Sequence, residues 1–229
     1  MNELARRYRA ELLLVGSTLS LFLFYYVARA DVIGTRGSTD GWFTVTGPVF
    51  PPTLHFLASA LLLGALPVIV ARGLCGIPLR ELGLGLGRWK EGLIWVAVGL
   101  PIAILAGWIA SGSPAMRAVY PLDPSVSAQV AEFVPHALRN LLYFAAWEVL
   151  FRGVLLFGLR PRTGDGTANA TQTGMSVLAH FGRPMTETFS AIPAGLAFGW
   201  ITLRVKSIWY VAIIHWVVGT SMDWFIAAG

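Results

Sequence analysis

The sequence predicts an all-α fold: a polytopic bundle of about seven membrane-spanning helices (six to eight). Three observations predict it. The 229-residue chain is 55% hydrophobic and only 13% charged, about half the ~25% charged share of soluble domains, with a mean hydropathy of +0.65. Its apolar residues gather in segments near the roughly 20-residue length that crosses a bilayer. Its basic residues concentrate in alternate connections, as the positive-inside rule requires.

The segments fall at about 11–29, 52–71, 91–111, 133–159, 167–183, 187–203 and 207–227. The first follows Arg6, Arg7 and Arg9, and Ala28-Arg29-Ala30 resembles a signal-peptide cleavage site. The run is longer than the apolar part of such a signal and many spans follow, so it is expected to be retained. The loop at 31–51, with Trp42 and Phe43, is expected outside. The connection at 72–91 contains Ile77 to Leu86, which reads either as a short amphipathic element at the cytoplasmic interface or as a plain connector. Segment three holds Pro101, tolerated in a membrane helix as a kink. Segment six carries Ala191, Gly195 and Gly199 four apart, a stripe that lets a neighbouring helix approach closely. No repeat or second domain is evident, so residues 1–229 read as a single membrane-embedded domain.

Charge sets the orientation. Arg6, Arg7, Arg9, Arg72, Arg80, Arg88, Lys90, Arg160, Arg162, Arg204 and Lys206 fall on one side, against Arg29, Arg36, Arg117 and Arg183 on the other. Seven crossings then put the N-terminus in the cytoplasm and the C-terminus outside. The net charge of +5 thus sets topology, and without a basic run interleaved with aromatics it points to no nucleic-acid partner. The single cysteine, Cys75, rules out an internal disulfide and stands in a loop with no histidine nearby. No Ser or Cys has an activating base, so a covalent mechanism is not expected.

The informative residues are those that break apolar runs. Trp147-Glu148-Val149-Leu150-Phe151-Arg152-Gly153 places a carboxylate and a guanidinium at i, i+4 in the middle of segment four. A charge there costs about 2.5–3.5 kcal/mol on insertion scales and marks function by default; the spacing puts the two on one helix face. Segment five adds His180, the following turn adds Glu187, and segment seven adds His215 and Asp223. At 1.5 Å per residue, Glu148, His180, His215 and Glu187 lie roughly 18, 20, 12 and 25 Å from the cytoplasmic end, compatible with one mid-membrane cavity leaning outward. His55 and His136, near segment starts, read as interfacial.

Such a set supports two chemistries. His180, His215 and Glu148 could hold zinc with a water position open. Without metal, a carboxylate could act as general base on water while a histidine stabilises the oxyanion, with Arg152 orienting Glu148. Either route hydrolyses an acyl bond, most readily a peptide bond. A polar knot that only fixes helix packing, or a proton pathway, would use the same residues.

In order and spacing the three motifs, Glu148-x-x-x-Arg152-Gly153, Ser176-x-x-x-His180 and His215-x-x-x-Gly219, resemble the CPBP family. These intramembrane endopeptidases include the CAAX prenyl-protein protease and bacterial relatives. The likeness covers about residues 72–227. It implies an intramembrane protease of bacterial-type inner membrane that cleaves a membrane-associated protein or peptide with an activated water, in contact with lipid. Cofactors are none or zinc.

Three departures stand out: Trp147 replaces the family's first Glu, Ser176 its Phe, and Gly219 its Asn. A bacterial branch with one Glu in the first motif shares the His180-Phe181-Gly182-Arg183-Pro184-x-x-Glu187 stretch and a late Met222-Asp223. The resemblance then implies that Glu187 supplies the missing carboxylate, turned back beside His180 by Gly182 and Pro184. Glu187 and Arg183 could instead form a plain interfacial pair. Asp223, about 80° around the helix from His215, would orient it or stand in for the Asn. The competing readings are an inactive scaffold that binds a peptide or partner, as in self-immunity, and a small proton-coupled transporter.

Overall fold

The structure is a computed structural model that describes residues 7–28 and 52–229. The end of segment one and the outer loop at 31–51 lie outside the described residues. Every described regular element is helical. Helix α1 is Arg9–Leu23, continued by a π-helical stretch, Phe24–Ala28. Helix α2 comprises Pro52–Ser59 and Leu66–Gly73 around a π-helical Ala60–Ala65. Then come α3 (Trp89–Ser111), the single turn α4 (Pro114–Arg117), and α5 (Val130–Glu148), which passes into a π-helical stretch, Val149–Phe157. The chain ends with α6 (Gly158–Leu178), α7 (Met185–Val205) and α8 (Trp209–Ala227).

Five described helical stretches are long and apolar enough to cross a membrane: Leu54–Gly73, Trp89–Ser111, Val130–Leu178, Met185–Val205 and Trp209–Ala227. Val130–Leu178 contains both predicted segments four and five. They separate at Gly164, whose φ of 78° and ψ of 167° are not helical; an L side chain resists that backbone, so the sequence breaks there. The chain then returns along α5, far enough for His180 to meet Trp147.

Burial is arranged for lipid rather than water. On α1 the inward stripe is Leu13, Ser17, Ser20 and Phe24, while Val15, Leu19 and Phe22 point out. On α3 the outward face is Leu93, Ile94, Val98, Ile102, Leu105 and Ile109. Apolar faces of that extent would drive association in water and are the normal surface of a helix in hydrocarbon. The chain is a multi-pass membrane protein.

Helix α5 is the centre. It packs against α1, α2, α6, α7, α8 and a 3₁₀ turn at Leu79–Leu82, and Leu150 to Phe157 are buried around its whole circumference. A helix apolar on all sides belongs inside a bundle. Segment six closes onto α6 as its small-residue stripe predicts: a Cβ on Gly195 or Gly199 would collide with Thr173 or Asn169. The 72–91 connection is two-sided, with Leu79, Arg80, Glu81 and Leu86 exposed. Ile77 and Leu82 are buried, Trp209 Nε1 and the Tyr210 hydroxyl donate to the carbonyls of Leu84 and Leu86 at 2.9 and 2.7 Å, and the segment plugs one end of the bundle.

Candidate functional site

Helix α5 supplies Glu148, fully buried, at the point where α-helix gives way to π-helix, and Arg152 one turn on, 2% exposed. π-helical turns recur at functional sites. Glu148 Oε1 accepts from Arg152 Nη1 at 3.2 Å and from His215 Nδ1, carried by α8, at 2.7 Å. A carboxylate facing a cation only accepts, so Nδ1 of His215 carries hydrogen and Nε2 faces the other way. The His215 ring lies 4.6 Å from that of Phe144 and 5.6 Å from that of Phe198 between centroids, and the Arg152 guanidinium sits over Phe198 at 5.6 Å. The buried guanidinium therefore has a carboxylate and a ring face as partners, which offset its desolvation.

A second pair forms at the turn after α6. Gly182 takes a φ of 85°, Pro184 precedes the first turn of α7, and the Thr188 hydroxyl donates to the His180 carbonyl at 3.0 Å. From α1, the Tyr25 hydroxyl donates to the Phe181 carbonyl. This closed turn brings Glu187 back so that its Oε1 lies 4.0 Å from His180 Nε2. His180 Nδ1 is 2.7 Å from the Ser176 carbonyl; a carbonyl can only accept, so Nδ1 is the N–H and Nε2 holds the lone pair that faces Glu187. His215, Arg183 and Arg152 all lie within electrostatic reach of His180, which ties the two pairs into one neighbourhood. The side chains of His180, Glu187 and His215 are 14%, 22% and 20% exposed, against none for Glu148. The first three are partly open to the surroundings of the protein.

Asp223 stands elsewhere. Its Oδ2 accepts from Asn140 Nδ2 at 2.9 Å and lies 2.8 Å from His136 Nε2, two helical turns from His215. His136, expected at the interface, is fully buried in this cluster. The i, i+4 spacing of His136 and Asn140 on α5 is the sequence signal that could have exposed it. Tyr120, whose hydroxyl donates to Glu187 Oε1 at 2.8 Å, had no such signal, because 67 residues separate the two.

Among the described residues no three His, Cys, Asp or Glu side chains converge as a metal ion would need. His180, His215 and Glu148 do not gather around one point: one oxygen of the carboxylate is shared by His215 Nδ1 and Arg152, and His180 Nδ1 meets a carbonyl. This arrangement does not fit a zinc ion held by all three.

The departures from the family pattern have physical counterparts. The Trp147 ring meets His180 edge-on, 5.2 Å between centroids, so an indole stands against the imidazole. At Gly219 a Cβ would collide with the Phe144 ring; Phe144 fills the space an Asn side chain would need. Ser176 contributes its carbonyl to His180.

Residues 131–221 match the family model described as Type II CAAX prenyl endopeptidase Rce1-like. No curated protein and no solved structure matches the chain. The matched stretch runs from α5 into α8 and holds Glu148, Arg152, His180, Glu187 and His215. The part of the chain that carries the candidate site is thus similar to the CAAX prenyl endopeptidases that the model describes.

Proposed function

We propose that the protein is an intramembrane endopeptidase that hydrolyses a peptide bond of a membrane-associated protein or peptide with an activated water. The observation that carries this is the 4.0 Å gap between His180 Nε2 and Glu187 Oε1. It is too long for a direct hydrogen bond and spans one water oxygen within reach of both groups. Both groups face that water as acceptors, so one of them takes its proton as it attacks the scissile carbonyl. His215, held by Glu148, lies within electrostatic reach of His180 and, when protonated at Nε2, donates to the developing oxyanion. Glu148 is then the group that orients His215, and Glu187 the carboxylate that works on water. The partly exposed Glu187 and the fully buried, doubly engaged Glu148 support that division. The bacterial-type inner membrane with the N-terminus inside remains part of this proposal, carried by the charge bias of the connections.

A second reading is a family member that binds a peptide without cleaving it. Trp147 in the place of a carboxylate favours it. Comparison of membrane proteomes from wild-type, Glu187→Gln and Glu148→Gln cells separates the two. Accumulation of the same uncleaved protein in both variants supports the protease. Wild-type processing with Glu187→Gln refutes the role given to that carboxylate, and unchanged proteomes in both variants leave the binding protein.

A further inference from the structure

The segment between α3 and α5 reaches into the site through one side chain. Tyr120 donates its hydroxyl to Glu187 Oε1 at 2.8 Å, the same oxygen that faces His180 Nε2 at 4.0 Å. Its ring is held as well: the Arg183 guanidinium lies over it at 5.6 Å. A carboxylate near the N-terminus of a helix has rotamer freedom, and a single fixed donor on one oxygen removes much of it. We propose that Tyr120 is a positioning residue that acts through Glu187, holding Oε1 at one-water distance from His180. The inference rests on the protease reading of Glu187 and adds the group that makes its geometry productive.

Tyr120 suits this role as a donor and not as a base. Burial first, with the Glu187 and Tyr143 charges adding to it against Arg183, holds its phenol well above the ordinary range. It therefore keeps its hydrogen across the neutral pH range. The consequence is a division of labour: Glu187 meets the water, and the Tyr120 hydroxyl meets Glu187.

The test is Tyr120→Phe, which keeps the ring and its contact with Arg183 and removes one oxygen. Two readouts are taken on the full chain. The first is the infrared carboxylate band of Glu187 in purified protein in liposomes, identified as the difference between wild type and Glu187→Gln. The second is the ratio of uncleaved to cleaved substrate in cell membranes, for the protein that accumulates in Glu187→Gln cells. With the donor removed, the band shifts and cleavage falls about ten- to a hundredfold, the span expected for a lost hydrogen bond to a charged group, while thermal unfolding stays near wild type. A merely structural tyrosine would not move the band. If Tyr120→Phe leaves either the band or cleavage at wild type while Glu187→Gln abolishes cleavage, the inference is overturned and the protease reading stands. If Glu187→Gln cleaves as wild type, both fall together.

Discussion

Arg152→Met is the most direct test of how the buried centre of α5 is held. The substitution keeps an unbranched side chain of similar length and deletes the guanidinium. Glu148 is then a fully buried carboxylate whose Oε1 keeps only His215 Nδ1, at 2.7 Å, and whose Oε2 has no partner among the described residues. Two unit charges about 4 Å apart attract by about 4 kcal/mol at an effective dielectric of ~20. Removing one partner of a buried pair costs about 3–5 kcal/mol, because the remaining charge is left uncompensated. The His215 donor stays, so the lower end applies, about 3 kcal/mol. For a chain of this size that is a fall of roughly 6–12 °C in Tm. The partner measurement is the double variant Glu148→Gln with Arg152→Met, which leaves no buried charge and should recover at least half of the loss. Thermal unfolding of the purified proteins in detergent, followed by tryptophan fluorescence, gives all four corners of the cycle. Losses in the double variant that equal the sum of the singles would show that the two groups are not coupled, and the orienting role given to Arg152 would fail with them.

Gly219→Asn, which writes the family residue into the third motif, collides with Phe144 and should cost about 1–3 kcal/mol as overpacking does; adding Phe144→Ala should relieve it, and equal instability of single and double variants would count against the collision. Asp223→Ala should lower stability by about 2–4 kcal/mol, since it strands buried His136 and Asn140, while the cleavage rate per folded molecule stays within a few-fold. A rate collapse at unchanged stability would instead return Asp223 to His215. Dialysis against EDTA should leave cleavage of the accumulated substrate intact, because no three ligating side chains converge among the described residues. Loss of cleavage that zinc restores would overturn that reading.

Much of this molecule was legible in one dimension because a bilayer imposes strong local rules. Segment length, the break between segments four and five, the turn at Gly182, and the stripe at Gly195 and Gly199 follow from hydropathy, backbone sterics and small-residue packing, all of which are read residue by residue. The Glu148–Arg152 pair was legible for the same reason: a helix brings i and i+4 together whatever surrounds it.

What crossed between helices was less so. Spacing on α8 offered Asp223 to His215 as readily as to any other partner, and only the packing of α5 against α8 gave it to His136 and Asn140. Nothing local distinguished His136 at an interface from His136 in a core. Composition alone did not say which helices would receive Ile77 and Leu82 of the 72–91 connection.

By itself the sequence determined that this is a helical membrane protein with polar groups of the protease type on successive helices. The tertiary structure decided which of those groups share an oxygen: His215 and Arg152 on Glu148, and Tyr120 on Glu187 beside His180. The physical reason is one of range. Hydropathy and helical period act over a few residues and survive in any tertiary setting, whereas a hydrogen bond at 2.7–2.8 Å depends on where two remote backbones come to rest.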